Sequence, residues 1–199
     1  MTEKYKNKYR IASSRLQNWD YGWNAAYFVT ICTKNHEHFF GEIVKTQNSM
    51  SKKMQLSEIG EMAHKYWYEI SQHFPFVKLD AFVVMPNHIH GIIIIDKNDD
   101  DVIVQTQNFA SLRPTSPTPP TPQPSSSKNK FGPQSKNLAS IIRGYKIGVT
   151  KNAKKINPLW QWQTRFYDHI IHDDKSFIRI ANYIINNPIN WGEDKFHNE

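Results

Sequence analysis

Apolar positions along this chain fall into short blocks whose period switches between two and about 3.6. Ala25 to Thr33 is dense in aromatic and β-branched side chains, a polar His36-Glu37-His38 turn follows, and Phe39-Phe40-Gly41-Glu42-Ile43 comes next, so a strand and hairpin are predicted. After a polar stretch, Leu56, Ile59, Ala63, Tyr66, Trp67, Ile70 and Phe74 recur at helical spacing. Ser57 offers a cap and Pro75 a stop, which predicts a helix of about four turns. Val77, Leu79, Ala81, Val83 and Met85 alternate onto one face, and after Pro86-Asn87 the block His88 to Asp96 is apolar on both faces. Two buried neighbouring strands joined by a tight turn fit that pattern.

Helical spacing resumes with Leu138, Ile141, Ile142, Tyr145 and Val149, leaving Arg143, Lys146 and Lys151 off the apolar stripe. Phe166 to Ile171 reads as a short strand. The last helix starts at an Asp174 cap, buries Phe177, Ile180, Ala181, Ile184 and Ile185, and is stopped by Pro188. Strand-hairpin, helix, strand, strand, helix, strand, helix is the order of an α+β sandwich with an antiparallel sheet and helices packed on it.

Between these blocks, residues 97–135 change character. Asp99-Asp100-Asp101 leads into Pro114, Pro117, Pro119, Pro120, Pro122 and Pro124 set among Ser and Thr, the composition of a disordered tether. Neither side has enough elements to close a core alone, so 25–96 and 136–192 are read as one domain, with 97–135 inserted and 1–24 a basic extension.

A length of 199 residues suits one such domain, and six Trp, nine Tyr and eleven Phe supply ample core. The longest aliphatic run, Ile92 to Ile95, is far short of the roughly 20 residues of a membrane span. The polar start has no signal-peptide core, so a soluble cytoplasmic protein with no membrane partner is expected. One cysteine, Cys32, excludes zinc sites built on several thiolates, so any metal rests on His, carboxylate or carboxamide. The net charge of +7 is concentrated: Val102 through Tyr167 holds no Asp or Glu but ten Lys and Arg, among them Arg143, Lys146, Lys151 and Arg165. Nucleic acid is the expected partner. Trp162, beside Arg165 and two residues from Trp160, is a candidate for stacking on bases, and core packing is the alternative.

His88-Ile89-His90 is the sharpest local signal. At the strand period of two, both imidazoles leave one face, close enough to ligate one cation, although paired strand histidines also serve structural roles. On the final helix Tyr183 and Asn187, four apart, share a flank beside the buried stripe and are aimed at one point on the sheet, or else stand as an interfacial Tyr and a helix cap. Tyr145 lies on its helix's apolar stripe and is read as core.

Together, Val83-Val84-Met85-Pro86-Asn87-His88-Ile89-His90-Gly91, the segment Trp162 to Ile171, and Tyr183-Ile184-Ile185-Asn186-Asn187-Pro188 resemble the single-tyrosine HUH transposases, most closely the REP-associated tyrosine transposases and their insertion-sequence relatives. The resemblance spans about residues 10–96 and 136–192. It implies a ferredoxin-like fold and an enzyme that cuts and rejoins single-stranded DNA next to hairpins through a 5′-phosphotyrosine. On this chain it makes Tyr183 the nucleophile and His88, His90 and Asn187 the metal ligands; the donor set suits magnesium or manganese, and both a monomer and a homodimer whose mate supplies the last helix are compatible with the sequence. Two departures stand out: insertion-sequence members carry Gln at the position of Asn187, and the Pro-rich insertion is longer than usual.

The chemistry of the residues agrees. A phenol with a reference pKa near 10 attacks a phosphodiester only with help at the phosphate oxygens. The rival class is a non-catalytic single-strand-binding module on the same sheet, with structural histidines. A metal-dependent hydrolase ranks below both, because no Asp or Glu accompanies the His pair to serve as base.

Overall fold

The structure, a computed structural model, describes residues 4–5, 8–9, 15–16, 18–45, 52–97 and 135–197. In chain order the elements are β1 (Lys4–Tyr5), β2 (Lys8–Tyr9), β3 (Ala25–Cys32), β4 (Gly41–Lys45), β5 (Lys52–Leu56), α1 (Glu58–Tyr68), α2 (Ile70–His73), β6 (Val77–Val84), β7 (His88–Ile95), α3 (Leu138–Ile156), β8 (Tyr167–Ile171) and α4 (Asp174–Asn186). Strands β6, β7, β3 and β8 form one sheet in that order, with every neighbour antiparallel. The first of these strands in sequence thus lies between the third and fourth, the ferredoxin-like arrangement.

The pleat of β7 builds two cores. Ile89, Ile93 and Ile95 join Tyr27, Val29 and Ile31 beneath Ile59, Ala63 and Trp67 of α1 and Ile141, Tyr145 and Val149 of α3. Ile92, with Ile94 beside it, faces the opposite way and meets Ile171 together with Ile180 and Ile184 of α4. A strand buried on both faces is what its unbroken aliphatic run requires. Gly91 is dictated by packing: a Cβ there would stand 2.3 Å from the Trp67 ring. That ring lies flat on Phe82 at 4.5 Å. The Tyr145 hydroxyl donates to Ala63 O at 2.9 Å, which confirms it as core.

Side-chain caps start the helices. Ser57 Oγ accepts from Gly60 N at 3.1 Å, and Asn137 and Ser140 form a reciprocal capping box on α3. The cap of α4 is Asp173, one residue before the expected Asp174, accepting from Ser176 N at 2.8 Å.

Four expectations are corrected. The segment after the His36 turn does not pair back on β3; β4 pairs with β5 in a separate ladder, where Met54 and Leu56 lean on the core. The long helix is broken at Glu69 into α1 and α2. A register shift between Leu79 and Phe82 moves Phe82 and Val84 onto the α1 side and Ala81 and Val83 onto the α4 side, so the alternation from Val77 to Met85 does not share one face. Ile185 is 63% exposed, because α4 meets the sheet along a stripe of only Phe177, Ile180, Ala181 and Ile184.

Residues 18–24 lean on the domain: Trp19 Nε1 donates to Tyr27 Oη at 3.1 Å, and Leu138 N donates to Tyr21 O at 2.9 Å. The ends of the insertion meet there, since a Cβ at Gly22 would lie 3.3 Å from Lys97 Nζ and 3.5 Å from Lys136 O. The Pro-rich segment itself lies outside the described residues. Among the described residues, no helix is long and apolar enough to cross a membrane.

Candidate active site

The even positions of β7 put His88 and His90 on the α4 face, opposite Cys32 and Thr30 of β3. Both rings are buried. His88 Nδ1 donates to Asn87 Oδ1 at 2.8 Å, and that oxygen is oriented because Asn87 Nδ2 donates to Phe196 O at 2.7 Å. His90 Nδ1 shares a 2.9 Å hydrogen bond with Thr30 Oγ1. With each Nδ1 held from outside, the two Nε2 atoms face one another at 3.1 Å. Neighbouring donors about 2.1 Å from an octahedral cation lie about 3.0 Å apart, so the pair has the bite of such a site. The Thr30 hydroxyl accepts as readily as it donates, which lets His90 present a bare Nε2 without losing its partner.

Burial keeps both rings neutral, the state a ligand needs. Desolvation, assisted by the charges of His36 and Lys195, pushes His88 down to about 3. Desolvation first and His88 second hold His90 well below the ordinary histidine value.

From the other side, α4 delivers Tyr183 and Asn187, one turn apart on the flank away from Ile185. The Tyr183 hydroxyl lies 3.2 Å from His90 Nε2, and its side chain is 43% exposed, so solvent and substrate reach it. Its pKa is raised, first by desolvation and then by the Asp194 charge, while the Asn187 amide pulls the other way. The phenol therefore holds its proton at neutral pH. Asn187 Nδ2 donates to Asp194 Oδ2 at 2.9 Å, and Asn187 Oδ1 is buried with no partner. An orphaned acceptor of that kind costs about 1–3 kcal/mol, which a bound cation would repay.

The expectation that no carboxylate accompanies the His pair is overturned. After α4 the chain turns through Trp191–Glu193 and inserts Asp194, whose Oδ2 lies 4.0 Å from His88 Nε2. Ligand atoms of His88, His90 and Asp194 all fall within 4.8 Å of one another. Phe196 closes the same corner, its ring 4.6 Å from that of His88. Two imidazoles with a carboxylate and a carboxamide form a donor set that fits a hard divalent ion.

No family model matches the chain. An uncharacterized protein of Haemophilus influenzae is 37% identical over 199 residues, covering 99% of both chains. A second protein of that organism, named as a candidate REP-associated tyrosine transposase, is 27% identical over 160 residues, covering 80% of this chain and 74% of its own. A solved REP-associated tyrosine transposase bound to a REP hairpin shares the fold with a TM-score of 0.50 at 18% identity, covering 93% of this chain and 77% of that one. This chain is a relative of the REP-associated tyrosine transposases.

That kinship with a REP-associated tyrosine transposase supports a transposase-like function. The basic residues singled out for DNA lie across the sheet from Tyr183. Arg143, Lys146, Lys151 and Arg165 line a groove of about 530 Å³ along α3, floored by Ile142, Ile147 and Phe166. Lys146 is partly committed elsewhere: its ammonium donates to Gln163 O at 2.8 Å and Arg165 O at 2.9 Å, and burial lowers its pKa to about 8. Trp162 sits under it, 5.4 Å from Nζ, with its indole N–H on Lys146 O and its ring against Phe40 and Trp160. Trp160 is fully buried and is core.

Proposed function

We propose that this transposase relative nicks and rejoins single-stranded DNA beside hairpins through a 5′-phosphotyrosine on Tyr183, with magnesium or manganese held by His88, His90 and Asn187 and bordered by Asp194. The observation that carries this reading is the meeting, within one chain, of an accessible phenol and a pair of neutral imidazoles 93 residues away, 3.2 Å apart at their nearest polar atoms. A divalent cation bound there supplies Lewis acidity to the phosphate oxygens. The Tyr183 oxygen bonds to phosphorus, the bond to the 3′-oxygen breaks, and that oxygen departs as a hydroxyl, taking up one proton for the one the phenol gives up. Asp194, the carboxylate bordering the phenol, is suited to relay that proton. Because one phosphoester replaces another, attack by a 3′-hydroxyl rejoins the strand without ATP.

A hydrolase is served less well, since the group nearest His90 Nε2 from the open side is a phenol. A pure binding module gives no reason for a buried, unpartnered Asn187 Oδ1 on a side chain whose amide holds Asp194 beside His88. The deciding experiment incubates the protein with manganese and hairpin DNA carrying single-stranded flanks of randomised sequence. A denaturant-resistant protein–DNA adduct that chelator abolishes is expected; no adduct on any hairpin would leave the binding module.

A further inference from the structure

We infer that the pocket beside Tyr183 seats one nucleotide of a DNA single strand, with Arg179 on its phosphate and Tyr167 against its base. The inference rests on the strand-nicking reading and specifies how that site takes its substrate. The pocket measures about 520 Å³, room for one nucleotide, and its walls include Phe28, Tyr167, His169, Arg179, Tyr183 and Lys195. No Asp or Glu is among its lining residues. Its chemistry is divided as a nucleotide is divided.

On the cationic side, Arg179 precedes Tyr183 by four residues on α4, so both stand on the flank that also carries Asn187. Arg179 forms no salt bridge within 4.0 Å among the described residues, its charge acting on Asp173 at the start of α4 only from a distance, and its planar fork of donors matches a phosphate group. On the aromatic side, the Tyr167 ring lies 6.2 Å from Phe28 at 70°, and Phe28 lies 6.2 Å from Tyr183 at 81°. Lys195 Nζ stands 5.6 Å from the centre of the Tyr167 ring, adding a second cation beside the platform. Tyr167 is 48% exposed, on a strand that among the described residues pairs within the sheet only with β3, so a base has access to it. The position also adjoins the basic groove through the chain: Arg165 and Phe166 line that groove on one face of the sheet, and the next residue, Tyr167, lines this pocket on the other. A strand rounding the β8 edge passes from one to the other and brings its phosphodiester to Tyr183.

The test separates binding from chemistry. In a Tyr183→Phe background, fluorescence anisotropy with labelled oligo(dT) of about 12 nucleotides is read over a salt series, because stacking is tolerant of sequence. Tyr167→Ala should weaken binding at least about fivefold, the lower end for one stacked base, and Tyr167→Phe should recover most of that loss. Arg179→Ala should shrink the slope of log affinity against log salt by about 0.7, and Arg179→Lys should restore it. Binding to a blunt duplex should not respond to Tyr167→Ala, since paired bases cannot enter the pocket. If both Ala variants bind oligo(dT) like the background, or the background does not bind it, the pocket assignment falls even where the parent protein forms its adduct. If both Ala variants lose binding while the parent forms no adduct, the pocket stands and the nicking reading falls.

Discussion

Tyr183 Oη and His90 Nε2 are 3.2 Å apart, although 93 residues and the whole Pro-rich insertion separate them in sequence. The contact joins the rim of α4 to the middle of β7 and puts the phenol where the imidazole pair converges. Tyr183→Phe should therefore abolish the covalent DNA adduct while leaving the fold intact. Losing one half-exposed hydrogen bond costs only about 0.5–1.5 kcal/mol, a fall of a few degrees in melting temperature for a protein of this size. An adduct that persists in the Phe variant would move the nucleophile elsewhere.

Metal affinity tests whether Asn187 and Asp194 complete the site begun by the two imidazoles. Manganese should raise the melting temperature of the chelator-treated protein, as any ligand selective for the folded state does. His88→Ala and His90→Ala should remove that rise, and Asn187→Ala and Asp194→Asn should each weaken manganese binding by about tenfold or more in calorimetric titration. A parent protein indifferent to manganese at millimolar concentration would refute the site.

How far the sequence reached depended on whether a residue's role was written in a local period. His88 and His90 show the strand period of two, and Tyr183 and Asn187 show one helical turn, so both pairs were legible before any fold was known. The α+β class and its antiparallel sheet followed from the succession of blocks, and the ferredoxin-like strand order only from the resemblance. Asp194 was not legible: it follows Pro188 in a polar, aperiodic stretch, and its role arises only when the chain turns back through Trp191 onto His88. Arg179 was hidden differently, since one more Arg on an exposed flank has no meaning until Tyr167 is seen across the pocket. The register shift after Leu79 was invisible because Ala81 and Phe82 suit either face.

The insertion yields a prediction because its two ends converge on Gly22. Asn24 holds one end, accepting from Lys97 N at 2.9 Å and donating to Lys97 O at 3.0 Å, so closing the gap needs little chain. Replacing residues 112–130 with a short Gly/Ser linker should leave the melting temperature unchanged within error. A drop of several degrees would show that the segment packs against the domain.

Lys146 gives a pH-dependent signature. Burial lowers its pKa from 10.5 to about 8, with Cys32 pulling weakly the other way. Below about 8 the folded and unfolded chains both hold the proton; between there and the unfolded value only the unfolded chain holds it. Stability contributed by this group therefore rises with pH across that window. Comparing the parent with Lys146→Met, the difference in melting temperature should shift in the parent's favour between about pH 7 and about pH 9.5. A difference that does not change with pH would mean that burial does not depress the ammonium's pKa.

The same engagement divides the basic groove into two kinds of residue. Arg143, Lys151 and Arg165 are exposed on its rim, so if a DNA strand lies there they meet phosphates directly. Each Ala substitution should then weaken binding to all sequences alike and reduce the salt slope by about 0.7 for a single strand. Target preference should survive, because contacts to the backbone position a strand without reading it. Lys146→Ala should behave differently: its charge is already spent on the 163–165 loop, where Arg165 adopts a left-handed backbone with φ of 67°. Its loss should disturb that loop and lower thermal stability more than it changes the salt slope. A triple Ala variant at Arg143, Lys151 and Arg165 that matches the parent's affinity and slope at low salt would exclude the groove. The path would then run along the β8 edge alone, where Tyr167 and Arg179 stand beside the nucleophile.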